Sequence, residues 1–590
     1  MIKTRIIHKT PIIPFILLAV ILLTGCGSEG QKTRKPAGDF SRGMLLSAEA
    51  IGSPSAAVNP EGDLIQVVIP GQNGETGNSF QYIRLDQEAG IVMDQELDLE
   101  LAPYVRSPQV IAIGEELHLV WAARESTQEN WELWHAIINA DAEVTSTPKL
   151  VSMGTERVSQ FEGTEDDQGN LTIVWEDGNA NSLYFTRISK QGNLISPPKL
   201  MVAEGELPAL IADQEGTHVA WMQGDQLFYS VIYEDTSFPL EGEALATIKV
   251  ALGNRLDGPV ISITDSQVYL FWSILRQTGL EAGTAITEYL VFPKSEMGQA
   301  RRGLVTIFPV SEDFLQPYQG SLSLSQAVPA PPEDYLSTDH ILNPQTLATP
   351  AQDVMLVAVS ARQVNRLDFH MQIMVGIFEE GVYDSYVVGT RTTEISQNPS
   401  ISLDAGGNLH LIWQEGFAGN RVFYATTAPI ARERLDRVAL GDFSTLIFSG
   451  GLEAITGILL FPFAFPWMAI GLVITIALRL ARNDEDVTQP LSIALVVLAL
   501  LSYQVSKLLF LPDILIYVPF SAWLDVPQGL GSVLRVGVPI IIIGLGIATA
   551  EWRRRHRNSV TSSLGYYMTA VIVDTVLTLS IYGVIFLGEY

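Results

Sequence analysis

Residues 398–413 read NPSISLDAGGNLHLIW, and the same phrase returns at 107–121 (SPQVIAIGEELHLVW), 207–221 (LPALIADQEGTHVAW) and 258–272 (GPVISITDSQVYLFW). In each copy a proline stands 13 or 14 residues ahead of a tryptophan: Pro108 and Trp121, Pro208 and Trp221, Pro259 and Trp272, Pro399 and Trp413. Between them apolar and polar residues alternate on either side of a turn, the period-two pattern of a β-hairpin. Trp175 closes a related unit, DQGNLTIVW at 167–175, and Ser53-Pro54 opens another that lacks the tryptophan.

Working outward, a third aromatic strand follows each tryptophan: Leu133-Trp134-His135, Leu183-Tyr184-Phe185, Leu227-Phe228-Tyr229 and Val422-Phe423-Tyr424. A fourth repeats as TPKLV at 147–151 and PPKLM at 197–201. Trp121, Trp175, Trp221 and Trp272 are 54, 46 and 51 residues apart. Four strands in about 40–50 residues is the size of a propeller blade. The 141 residues between Trp272 and Trp413 hold two blades, or one plus an insertion, and runs at 354–359 and 371–378 supply at least one. The reading is therefore mainly β: a six- or seven-bladed β-propeller over 46–435, with seven preferred. Ring closure hides sheet edges, so the fold needs no disulfide. The stretch 317–352, with Pro329, Pro331 and Pro332, reads as an insertion, either a binding segment or a spacer.

Ser402-Leu403-Asp404-Ala405-Gly406 matches the first half of the Asp box, Ser/Thr-x-Asp-x-Gly-x-x-Trp. On this and the blade pattern, residues 50–430 resemble the sialidase-like, BNR-type propeller superfamily. Leu409 stands where that box has its aromatic residue, and Trp413 comes four residues later. The resemblance implies the fold. A sialidase site would further need three arginines around a carboxylate and a tyrosine–glutamate nucleophile pair. Fold alone licenses no activity.

The two ends of the chain are apolar. Lys3, Arg5 and Lys9 precede an apolar run that ends in Leu23-Thr24-Gly25-Cys26. This layout predicts a lipoprotein signal peptide at 1–25, with lipidation at Cys26, the single cysteine of the chain. An uncleaved signal anchor with an incidental cysteine is the alternative. Residues 26–45 then read as a flexible tether. Beyond residue 443 an all-α membrane domain of four helices is expected, with spans at about 457–480, 490–511, 533–550 and 565–587. Arg479 and Arg482 follow the first span, and Arg553, Arg554, Arg555 and Arg557 the third. The positive-inside rule makes those loops cytoplasmic. Residues 26–442 and the C-terminus are then extracytoplasmic, on a chain both multi-pass and lipid-anchored in the cell membrane. The outer loop 511–532, rich in Tyr, Trp and Pro, is expected in the interface. Asp574 falls mid-span and is the intramembrane polar candidate; Lys507 and Arg535 read as snorkelling outward rather than as its partners.

Charge is segregated. Residues 1–25 carry +3 and 443–590 carry −1, so of the formal −29, a charge of −31 falls on 26–442. Such a domain repels phosphate backbones, which excludes nucleic acid as a partner. No zinc motif, P-loop, dinucleotide fingerprint or nucleophile elbow stands in a supporting context, so neither metal nor cofactor is expected. His118, His218 and His410 recur at one repeat position, which places them on separate sheets as packing residues rather than ligands.

Propeller loops gather charged residues around one mouth. There the candidate ligand-binding residues are Arg106, Arg124, Arg255, Arg276, Asp225 and Gln414, because guanidinium forks suit carboxylates and sulfates. The candidate acids and bases are Glu176, Asp177 and Glu415, since glycoside cleavage needs two carboxyls at a set separation. Solvated loop charges are the alternative. The functional expectation is a membrane-anchored binding, sensing or scaffold module for an extracellular carbohydrate, peptide or protein, with membrane lipid as its other partner. A sialidase-like, glycoside hydrolase-type enzyme and the receptor subunit of a membrane transport assembly are the alternatives.

Overall fold

In the computed structural model, seven antiparallel sheets succeed one another along the chain, six of four strands and one of six. The structure describes residues 32–33, 36–59, 64–73, 77–99, 102–234, 236–320, 322, 324–333, 335–349, 353–365, 368–392, 394–416, 419–437, 451, 454–482, 487–520, 528–556 and 562–583. They divide into two units, one of Gly30–Val364 with Phe369–Arg437, the other containing Val438–Tyr590. The expected signal peptide 1–25 and Cys26 lie outside the described residues.

The first unit is a seven-bladed β-propeller. Its inner strands are Ser55–Val58, Tyr104–Ile113, Val158–Glu165, Glu206–Ala212, Arg255–Ile263, Ile341–Thr349 and Ser396–Leu403, here blades 1 to 7. Each packs beside the next, and the seventh beside the first, which closes the ring.

The repeated proline marks a bulge in the inner strand. Register slips between Arg106 and Gln109, Glu206 and Ala209, Asp257 and Val260, and Gln397 and Ser400. Ser107, Leu207, Gly258 and Asn398, each just before the proline, have φ of 50°, 52°, 97° and 50°. Proline cannot donate to a ladder, and a bulge is where a strand tolerates it. Trp121, Trp221, Trp272 and Trp413 stand in the second strand opposite that bulge, at most 1% exposed. They are blade core.

The second and third strands of blade 6, Val354–Asn365 and Asp368–Glu379, fall where strands were expected, but its inner strand hides in the stretch expected as an insertion. Residues 317–352 contribute the inner strand Ile341–Thr349 and the added strand Gln326–Pro329, which extends this blade with Gln316–Pro317. Asn343-Pro344 is the missing copy of the bulge, with Asn343 at φ 57° and a register slip between Leu342 and Gln345. Val359 takes the place of the tryptophan, so the sequence period lapses there.

The expected tether 26–45 is shorter at its C-terminal end. Met44–Ser47 pairs antiparallel with Arg421–Thr426 as the outermost strand of blade 7. Phe40 is fully buried, and the Asp39 carboxylate accepts from the backbone N–H groups of Ser325 (2.8 Å) and Gln326 (3.2 Å). Apolar burial and this cap bind 37–45 to the propeller. Helix α1 (Pro429–Leu435) follows the last strand and buries Ala431 and Leu435. The N–H of Arg42 donates to Asp436 Oδ1 at 2.7 Å. Ser41 N donates to Thr426 O, and Thr427 N to Leu409 O. The chain therefore enters and leaves the propeller beside the 404–408 turn, at the end away from where the inner strands begin.

The second unit contains α2 (Phe465–Arg482), α3 (Pro490–Phe510), α4 (Gln528–His556) and α5 (Ser563–Tyr582). Among the described residues three helices are long and apolar enough to cross a membrane: Pro490–Phe510, Gly529–His556 and Ser563–Tyr582. The first expected span differs. A 3-10 turn at Phe461–Ala464, with Pro462 at its start, interrupts it, and the apolar helical stretch Phe461–Ala477 is shorter. Of the expected interfacial loop, Leu511, Ile514 and Tyr517 are buried in the core of this unit.

Asp574 does have a partner at its own depth, contrary to the expectation for Lys507. Lys507 Nζ lies 2.7 Å from Asp574 Oδ1. Tyr503 donates to the same oxygen at 2.7 Å, Thr578 at 3.3 Å, and Gln504 Nε2 to Oδ2 at 3.1 Å. Tyr503 and Lys507, and likewise Asp574 and Thr578, are spaced i and i+4, so each pair shares one helix face. The lysine stem reaches back one turn to the acid rather than outward.

Candidate functional site

The inner strands begin, and the second strands end, at one rim of the ring. Register puts the expected residues there: Tyr104 opposite Arg124, Val158 opposite Asp177, Arg255 opposite Leu275, Gln397 opposite Gln414 and Ser396 opposite Glu415. Asp225 occupies the tight turn between Gln223 and Gln226 and is exposed.

Among the described residues, blades 2 and 3 bring several of these charges together. Trp131 stands just before the third strand of blade 2, Glu132–Ile138, and the guanidinium carbons of Arg106 and Arg124 each lie 4.3 Å from its ring centroid. Arg124 also lies 5.4 Å from the ring of Tyr104. Arg106 Nη2 donates to the carbonyls of Val158 and Ser159 at 3.0 Å, clasping the bulge of blade 3. Burial and the neighbouring charges of Arg124 and Arg157 lower the pKa of Arg106 from its usual value. Two guanidiniums thus flank one indole, the arrangement that cation–π attraction supports, and Arg157 adds a third positive charge near Arg106.

The acids have other tasks. Glu176 Oε2 accepts the N–H of Leu207 at 3.0 Å, holding the bulge of blade 4. Asp177 accepts from the N–H groups of Glu156 (3.0 Å), Arg157 (3.3 Å) and Asn179 (3.1 Å). The two are adjacent in a strand and face opposite sides. Glu415, on blade 7, is buried; burial pushes its carboxyl up to about 7 against the pull of Arg421, 3.6 Å away. Gln414 bridges blades 7 and 1 by donating to Gly52 O (2.9 Å) and accepting from Asn398 (2.6 Å). Arg276 pairs with Glu281. Arg255 is exposed beside Asp257, whose carboxyl burial raises.

Trp131, Arg157, Glu162 and Glu206 escaped the sequence reading. Trp131 is off the proline register, and that departure was the available signal. Glu162 accepts from Gln109 of the neighbouring inner strand at 2.9 Å, and loss of hydration pushes its carboxyl up to about 7.

The repeated histidines sit on separate sheets. His218 meets Tyr229 Oη (2.5 Å) and Asp213 (3.0 Å), His410 meets Tyr424 Oη (2.8 Å) and Asp404 (3.3 Å), and His118 meets His135 (3.0 Å). Among the described residues no group of three potential metal ligands forms.

No protein-family model and no curated protein matches this chain. Among solved structures it is similar to Penicillium chrysogenum α-L-arabinanase complexed with arabinobiose, at 12% identity and a TM-score of 0.37, covering 67% of this chain and 98% of that one. It is similar to the polysaccharide lyase Uly1 at 11% identity and a TM-score of 0.39, covering 68% and 93%. The β-propeller domain of the Trilobed protease from Pyrococcus furiosus matches at 8% identity and a TM-score of 0.34, covering 63% and 93%. These likenesses carry no activity across to this chain.

Proposed function

We propose that the chain is a membrane-attached, extracytoplasmic binding module whose propeller takes an anionic ligand, a carboxylated carbohydrate or an acidic peptide, at the Arg106–Trp131–Arg124 rim. The observation that carries this reading is the indole held 4.3 Å from two guanidiniums, on a domain otherwise strongly negative. Arg124 supplies guanidinium donors for a carboxylate, and the indole between the two guanidiniums holds Arg124 in place. Thioether lipidation at Cys26 and the apolar helices attach the module, with residues 26–442 outside. Within the propeller, the first and last described segments lie at the end away from this rim.

The hydrolase reading is weaker. Glu176 and Asp177 hold backbone N–H groups, and Glu415 stands on a different blade. A cleavage pair needs two carboxyls facing one bond.

The test uses the full chain in nanodiscs, titrated with oligogalacturonate and with a neutral oligosaccharide of equal length. Binding of the anionic oligosaccharide alone, weakened by added salt, supports the reading. Equal or no binding of the two opposes it.

A further inference from the structure

We propose that the membrane unit holds a site for a neutral hydrocarbon chain bearing a hydroxyl group, in the cleft between α3 and α4 over α5. The cleft measures about 170 Å³. Its walls are apolar: Val497, Leu500 and Leu501 from α3, and Ile543 and Ile547 from α4. Its floor is α5, where Ala570, Val571 and Asp574 line it. Gly546 keeps α4 close to α5 beside it: a Cβ there would come within 2.7 Å of Ala570 O.

The polar end of the cleft is specific in its chemistry. Asp574 is 2% exposed, and its Oδ1 takes bonds from Tyr503, Lys507 and Thr578. Its Oδ2 takes one bond, from Gln504 Nε2 at 3.1 Å. A carboxylate oxygen offers about two acceptor sites, so Oδ2 retains one. The carbonyl oxygen of Gln504 accepts no hydrogen bond among the described residues, and this residue also lines the cleft. The groups left over at that end are therefore two acceptors and the second N–H of the Gln504 amide, a set that a hydroxyl, donor and acceptor at once, can meet.

In hydrocarbon an acceptor facing lipid tails is costly, and no water stands by to satisfy it. An occupant with a donor removes that cost. Lys507 already neutralises Asp574 at 2.7 Å, so a second cation would bring unpaired charge into the bilayer, and a carboxylate would meet Asp574 as a like charge. A neutral hydroxyl donates one bond, brings no charge, and leaves its chain along Val497, Leu501 and Ile547. Straight-chain and isoprenoid alcohols share this chemistry.

The experiment is native mass spectrometry of the full chain released from nanodiscs equilibrated with dodecan-1-ol, farnesol, dodecanoate or dodecane. The expected result is a saturable adduct with an alcohol, retained at least about tenfold more strongly than dodecanoate or dodecane, because an unmet buried polar group costs about 1–3 kcal/mol. Dodecan-1-ol above farnesol assigns a straight-chain source, and the reverse an isoprenoid one. Leu501→Trp fills the cleft from an exposed wall position and abolishes the adduct. Equal retention of alcohol and dodecane by the parent chain, or an undiminished alcohol adduct in Leu501→Trp, overturns the proposal.

Discussion

Lys507 Nζ and Asp574 Oδ1 are 2.7 Å apart, on helices α3 and α5, with each side chain 4% exposed. A buried pair of this kind is costly to break and cheap to replace, because the penalty lies in the charge left behind. Asp574→Asn alone should therefore destabilise the membrane unit by about 3–5 kcal/mol, and Asp574→Asn/Lys507→Met should recover most of the loss. Unfolding of the full chain in mixed micelles measures both. Equal losses in the single and double variants would show that the pair does not act as a unit.

Glu415 predicts an alkaline weakness in blade 7. Burial raises its carboxyl to about 7, above the ordinary carboxylate range. The folded state then binds more protons than the unfolded state between about pH 4.5 and 7, so stability falls as pH rises through that window. Glu415→Gln should be more stable than the parent at pH 8 and show a flatter profile from 4.5 to 7. Arg421 keeps Glu394 as a partner at 2.5 Å, so the substitution leaves no orphaned cation. Urea midpoints at several pH values check this.

His118 and His135 predict the opposite limb in blade 2. Burial lowers them to about 4 and about 3, and their rings meet at 3.0 Å. Their contribution is intact above the unfolded value near 6.5 and is lost as pH falls through 4 towards 3. His118→Leu/His135→Phe should remove that part of the acid slope. The same midpoints read between pH 7 and 3.5 decide it, and an unchanged slope would place the acid sensitivity elsewhere.

Gly242 sits against the core of blade 4. A Cβ at this position would overlap the indole of Trp221. Gly242→Ala should cost about 1–3 kcal/mol by overpacking. Gly279→Ala, in open space, controls for added bulk but carries its own backbone strain at φ 86°. A thermal scan in which Gly242→Ala matches the parent would contradict the packing described.

Four of the seven blades carry both the proline and the tryptophan, which report local geometry, a bulge and the core position facing it; blade 1 keeps only the proline and blade 3 only the tryptophan. Blade 6 keeps Pro344 but has Val359 for the tryptophan, so half its signature is gone. The outer strand of blade 7, Met44–Ser47, pairs with Arg421–Thr426 from the far end of the chain. No local pattern encodes such a partner, so those residues read as a tether. The rim residues were found by position, but their work was not. Glu176, Gln414 and Arg106 bond backbone groups of the next blade, and spacing does not say where a side chain is spent. The position of Lys507 near the end of its span reads as snorkelling outward, whereas its stem carries the charge back to Asp574.

A ligand site at Trp131 is tested by calorimetric titration of the full chain in nanodiscs with oligogalacturonate, comparing the parent with Trp131→Ala and Arg124→Ala. Arg106 is left in place because it clasps blade 3. The account predicts binding by the parent and a loss of about tenfold or more in each variant, with unfolding midpoints kept, since losing a charge-assisted hydrogen bond or a stacking face is worth about 1–3 kcal/mol. Affinity unchanged in both variants would contradict it.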